Sequence, residues 1–360
     1  MCAHGAGPRA RMVPLLNGTG RTLRWFVEDL RGRFDDDHTW PGVVSLDGAQ
    51  RSSRRSSVAH ALGVPGAARL SVAGTTVAGV TDDELRRMLI PFRTRAVEEG
   101  YPWEDIDPLP AEEVDRWIGH VRPCAVLTDG GDGPVAGRFG GPLLLPAEVP
   151  DPEHPYLASI DLAALPKDAT DLPLPPDGRL LLFASLEETD GDGNCGQAVY
   201  VPAGTPVEER DKNIWNGCPG DDYYQEIVDS YPQGDLRART EPDLPYHPLP
   251  GFPHADELAT VWCDTSGREG HLQIGGYASE EACDADPLES VASCAVHQAE
   301  RGRWGGDEPV SGAVEDWVLL AHWNPDISHR EGSDVQWGIQ RADLEARRFD
   351  RTFSTVRRNP

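Results

Sequence analysis

The hydrophobic pattern is densest between residues 137 and 186, GRFGGPLLLPAEVPDPEHPYLASIDLAALPKDATDLPLPPDGRLLLFASL. A double glycine and a Pro-bracketed apolar run open this stretch. A strand ending in Ile160-Asp161-Leu162 follows, then a Pro-rich excursion, and Gly178 launches residues 179–186 as a second strand. Gly140-Gly141-Pro142 offers positive φ that other residues resist, followed by a fixed φ for the exit. A weaker copy recurs near the C-terminus. Ile274-Gly275-Gly276-Tyr277 stands for the glycine turn, Trp317–Trp323 (WVLLAHW) for the first strand, and residues 334–340 (DVQWGIQ), after Gly332, for the second. The shared order predicts an internal duplication, with Ser159-Ile160-Asp161 and Ala321-His322-Trp323 in equivalent strands. Two strands alone bury too little apolar surface, so both copies belong to one body.

Outside the copies the period changes to that of helices. Leu23, Phe26, Val27, Leu30 and Phe34 share one helical face over residues 21–34. Thr81-Asp82-Asp83-Glu84 is a capping box ahead of the stripe Leu85, Met88, Leu89, Phe92 and Ala96, which Pro91 interrupts near Ile90. Residues 101–110 read as a linker, and 111–120 as a short helix on Val114, Trp117 and Ile118. A boundary near residue 120 therefore separates a mixed, helical region (1–120) from a β-rich domain (121–360). Residues 187–196 turn the strand at 181–186 back into 197–202 as a hairpin. Residues 203–256 read as a long acidic, Pro-rich loop, and 258–263 as a returning strand.

Charge narrows the partners. Sixty carboxylates against 33 basic residues leave −27, which repels nucleic-acid phosphate and anionic membrane alike. No apolar run approaches the ~20 residues that span a bilayer. Arg9 and Arg11 follow the start without an apolar h-region, and seven cysteines in odd number suit reduced thiols, so a cytoplasmic location is expected.

Each chemical motif falls short of its requirement. Residues 43–62 mimic a phosphate loop, but Gly48 lacks a glycine partner and Arg54-Arg55 stand where Gly-Lys is needed. Asp190, Asp192 and Asn194 have calcium-loop spacing, with Cys195 and Val201 where Gly and Glu are required. Cys263, His271, Cys283, Cys294 and His297 offer only one close pair for zinc, Cys294-x-x-His297. No nucleophile elbow is present, and His322 lacks a named partner. No catalytic residue and no cofactor are expected. The residues best placed to bind are those of the glycine turns, Arg138, Gly140, Gly141, His271, Gly275, Gly276 and Tyr277. Trp215, Tyr223, Tyr224 and Trp323 are added as aromatic anchors.

FGGPLLLP, SIDLAALP, GRLLLF, the H-x-x-x-GGY segment at residues 271–277 and the ending IQRADLEARRFDRTF together resemble the YwqG-like family, a bacterial domain family of unknown function. The resemblance covers roughly residues 121–360. It departs at Leu157-Ala158-Ser159 and at Leu320-Ala321-His322-Trp323, where the family carries glutamine-containing and acidic strands. It implies an α+β body, mainly antiparallel β, and no particular reaction. The expectation is thus an internally duplicated β domain beside a small helical N-terminal region. Its role is that of a non-enzymatic, antitoxin- or immunity-like interaction module that offers residues 203–256 to a basic protein or peptide. A hydrolase using Asp, Glu and His of residues 203–271, with or without a metal, is the alternative.

Overall fold

The computed structural model describes residues 76–77, 79–90, 109–186, 193–211, 222–266, 271–279, 285–325, 327, 330 and 332–358, with the backbone alone at 76, 222–225 and 358. All lie in the compact unit Ser71–Pro360. The expected helix at 21–34, the basic turn at 48–57, most of the linker, Asp190 and Asp192 fall outside the described residues.

The elements run β1 (Thr76–Val77), β2 (Val80–Thr81), α1 (Asp82–Met88), α2 (Ala111–Ile118), β3 (Arg122–Thr128), β4 (Val135–Phe139), β5 (Leu143–Leu145), β6 (Tyr156–Asp161), β7 (Arg179–Ala184) and β8 (Gly196–Val201). They continue with β9 (Glu208–Arg210), α3 (Asp222–Asp229), β10 (Gly234–Asp243), α4 (Ala255–Ser266), β11 (Leu272–Ile274), α5 (Pro287–Glu300), β12 (Trp317–Trp323), β13 (Ser333–Gln340), α6 (Arg341–Glu345) and β14 (Phe353–Arg358). The capping box is formed, with Thr81 accepting from Glu84 N and the Glu84 carboxylate reaching back to Thr81 N at 2.8 Å.

Ten strands make one antiparallel sheet in the order β14-β13-β12-β11-β3-β10-β4-β6-β7-β8. Its twist brings the two ends together. Cys195 N donates to Ser354 O at 3.0 Å, Ser354 N to Asn194 Oδ1 at 2.8 Å, and Trp337 Nε1 to Phe183 O at 3.1 Å. The sheet is therefore nearly closed. Its interior is filled by side chains from alternate positions, among them Leu127, Phe139, Ile160, Leu182, Leu236, Trp323, Trp337 and Ile339.

Three smaller cores cover the outer face. The helices α1, α2 and α4 pack Leu85, Leu89, Trp117, Leu258 and Trp262 with Leu244 and Tyr246. The region before residue 120 shares this core with the chain around residue 250. The α5 helix sits on Trp317, Leu319 and Phe353, and β5 on Tyr156, Leu181, Phe183 and Val201. Burial on both faces explains why β12 is apolar nearly throughout instead of alternating.

Two expectations need correction. Residues 203–256 are not one long loop, for they contain β9, α3 and β10. The β10 strand is central, between β3 and β4. It hides from pattern reading because its outward positions are Arg237 and Arg239, while the inward Leu236 and Ala238 are few. Pro242 also faces Pro123, a pairing possible where neither N–H is needed for the ladder. Residues 258–263 are helix, not strand: Ala255, Leu258, Ala259 and Trp262 bury one helical stripe.

In the loop before β6, His154 is only 6 % exposed, and burial pushes its imidazole down to about 4. An unfolded histidine titrates near 6.5, so between pH 6.5 and about 4 the unfolded chain holds a proton the folded chain refuses. The stability tied to this site is present above pH 6.5 and lost as pH falls. Full loss amounts to about 3 kcal/mol. Urea midpoints of His154→Gln should fall less steeply from pH 6.5 to 4.5 than those of the wild type; parallel curves would refute the assignment.

Candidate functional site

The second glycine turn is built around a buried carboxylate. The short β11 strand is buried throughout and runs into Gly275 and Gly276, with φ of 72° and 77°. Asp243, the fully buried last residue of β10, accepts from Tyr277 N at 2.7 Å and from Gln273 Nε2 at 3.0 Å. The Gln273 amide also donates to Gly275 O at 2.7 Å. A Cβ on Gly276 would lie 2.2 Å from Asp243 Oδ2, so only glycine lets the backbone wrap the carboxylate this closely.

Tyr277 carries the turn outward. Its hydroxyl donates to His120 O at 2.7 Å, and the Arg122 guanidinium lies 4.5 Å over its ring. Burial pushes the phenol up to about 12, with the Arg122 charge working the other way. Arg122 is also 3.8 Å from Asp171. His247 stands edge-on to Tyr277, with Nε2 3.7 Å from Asp286 Oδ2.

From Gln273 a polar row crosses the sheet. Gln273, His322, Gln336 and Thr355 are direct cross-strand neighbours on β11, β12, β13 and β14, and each is at most 8 % exposed. Burying polar groups is unfavourable unless they are bonded, and these are. His322 Nε2 lies 3.0 Å from Asp334 Oδ1, which also accepts from Asn324 Nδ2 at 2.8 Å. A carboxylate can only accept here, so the Nε2 of His322 carries a proton. Gln336 Nε2 donates to Ser279 O at 3.1 Å, tying the chain beyond the turn over the row. What this site offers chemically is an oriented imidazole and amide groups under a strap.

The first glycine turn is different. Gly140 and Gly141 have φ of 60° and 83°. Arg138 there is half exposed and lies 3.8 Å from Asp235. Strands β4, β10, β3 and β11 alternate in direction, so the two turns close opposite ends of the sheet. Arg138, Gly140 and Gly141 thus do not meet Gly275, Gly276 and Tyr277. His271 lies just before β11, where its carbonyl accepts from Asn324 N. Trp323 is 1 % exposed in the sheet interior against Phe139 and Tyr231 and is core, unavailable to a partner. Trp215 and the side chains of Tyr223 and Tyr224 lie outside the described residues. Cys263 and Cys294 sit in separate outer cores, and no group of three His, Cys, Asp or Glu among the described residues could hold a metal. Sequence reasoning did not foresee Asp243, Gln273, Asp334 or Gln336. Only register brings them together.

A family model matches residues 137–357, most of the chain, and places it in the family described as a domain of unknown function, DUF1963. The chain belongs to that family. No curated protein matches the chain. No helix among the described residues is long and apolar enough to cross a membrane.

Proposed function

We propose that the chain is a non-enzymatic interaction module, antitoxin- or immunity-like, that receives a basic protein or peptide. The observation that carries this reading is the outward display of carboxylates along residues 208–235. Glu208, Glu209, Asp211, Glu226, Asp229 and Asp235 are all exposed. Arg210 and Arg138 stand near Glu208 and Asp235 and offset part of that charge. Such a surface accelerates encounter with a cationic partner and is screened by salt. Deleting 219–243 would remove central strand β10, so the test uses charge reversal instead. A partner captured from the native cell by the wild-type chain should be lost with Glu208→Lys, Glu209→Lys and Asp235→Lys combined, and should bind more weakly as salt rises. Retention of that partner by the folded triple variant would sink this reading.

We further infer, with the YwqG-like resemblance, that the sheet is an internal duplication whose copies have exchanged their first strands. Bulges fall at matching places, Leu157 on β6 and Leu320 on β12, and each accepts from the first glycine of its own turn. Gly178 and Gly332 precede β7 and β13 with φ of 88° and 72°. A twofold relation through the Arg237–Thr128 pair exchanges β3 with β10. On this register the counterparts of Gln273, His322, Gln336 and Thr355 are Arg138, Ser159, Leu181 and Val199.

That comparison favours a second reading, a hydrolase. In the first copy the row is apolar at Leu181 and Val199 and its Arg138 is half exposed, so the fold itself does not call for the buried His322–Asp334 pair. Asp243 of the 203–271 region joins the row through Gln273, the cross-strand neighbour of His322. Loss of a hydrolytic activity in a folded Asp334→Asn variant would support this reading against the first.

A further inference from the structure

His247 follows β10 and is 6 % exposed. At 3.7 Å its Nε2 is too far from Asp286 Oδ2 for a hydrogen bond, and its Nδ1 is buried with no partner. Asp286 is also the N-cap of α5, its Oδ1 accepting from Leu288 N at 3.0 Å. One imidazole therefore adjoins both pieces that close this end of the sheet: the glycine turn through Tyr277, and α5 through Asp286. The charged groups facing it are Asp286 and Glu289 from α5 and Arg122 from β3, with the Tyr277 phenol beside the ring.

A neutral imidazole fits these surroundings because it needs no counter-charge. A second ring proton would put a charge into a buried space and leave one N–H without an acceptor. It would also draw Asp286 toward the ring and away from its capping bond. Burial holds the imidazole below its ordinary range, Asp286 and Glu289 pull it back up, and Arg122 adds to the lowering.

We propose that His247 is a proton-operated clasp. Neutral, it allows the turn at Tyr277 and the first turn of α5 to close over the polar row. Protonated, it pulls Asp286 off its capping bond and carries an N–H without an acceptor, which loosens both pieces while the rest of the sheet stays folded. Its folded value lies below the unfolded 6.5, so the clasp is fully closed above that pH and loosens as pH falls below it.

The test is native-state hydrogen exchange on the full chain at pH 7.5 and 5.0, corrected for intrinsic rates. In the wild type, amides of 275–279 and 288–291 should lose roughly tenfold more protection at the lower pH than those of β7. In His247→Gln this extra loss should vanish. An equal loss in the variant, or no excess over β7 in the wild type, overturns the proposal. Should the variant not fold, imidazole NMR of the wild type decides. The protonation midpoint of His247 must coincide with the opening of those amides, and separate midpoints overturn the clasp. Comparison with β7 also separates His247 from His154, which lies in the loop leading to β6.

Discussion

Gly276→Ala should destabilise the protein by about 4 kcal/mol, enough to unfold many domains of ordinary stability. Two effects combine. The backbone at φ 77° is one that L side chains rarely adopt, which costs on the order of 1–2 kcal/mol. The new Cβ would stand 2.2 Å from Asp243 Oδ2, 2.7 Å from Gln273 Nε2 and 2.9 Å from Cys124 Cβ. Relief means pushing a buried carboxylate off its two N–H donors, which leaves a buried charge under-bonded and is the larger effect. Gly251→Ala isolates the first effect, since φ there is 84° and a Cβ meets nothing within 4 Å. It should lose only about 1 kcal/mol. Guanidinium melts of both variants check the difference; equal losses would mean that the Asp243 contact does not matter.

The sequence pattern made the paired elements legible where both faces of a strand are covered. Trp317–Trp323, the strand after Gly332 and the strands flanking Gly178 stand out because their positions are buried by the interior on one side and by α5 or β5 on the other. The β10 strand was not legible, because half its positions face outward and carry Arg, Glu or Asp, as a solvated loop would. The 258–263 segment misled through its local Val-Trp-Cys run, although Leu258, Ala259 and Trp262 have helical spacing. The glycines of the site could be read from sequence, since a double glycine states its backbone need locally. Asp243 and Gln273 could not. Thirty residues separate them, and only the register β10-β3-β11 makes them neighbours. His322 looked solitary for the same reason, its partner Asp334 lying across a hairpin of the sheet.

Asp343→Ala should cost about 4–5 kcal/mol, the largest single effect expected outside the sheet itself. The IQRADLEARRFDRTF ending folds around this one carboxylate. Asp343 is 1 % exposed on α6. Its Oδ2 accepts from Arg351 Nε at 3.0 Å and from Gln340 Nε2 at 2.9 Å, and Arg348 pairs with its other oxygen. The backbone helps: Arg347 turns the chain at φ 59°, and Arg348 N and Arg347 N return to Asp343 O and Leu344 O at 2.8 and 2.9 Å, closing the helix end. Arg351 is itself 7 % exposed, bonded to the Gly305 and Pro309 carbonyls and set 5.7 Å over Trp304. Removing Asp343 therefore strands a buried guanidinium that two carbonyls and a ring cannot neutralise. The consequence is a specific non-additivity. Asp343→Ala combined with Arg351→Met should lose less stability than Asp343→Ala alone, because the second change removes the uncompensated charge. Urea titrations of the two single variants and the double supply the cycle. A double variant less stable than both singles would show that the ending is held by packing, with the buried ion pair contributing nothing of its own.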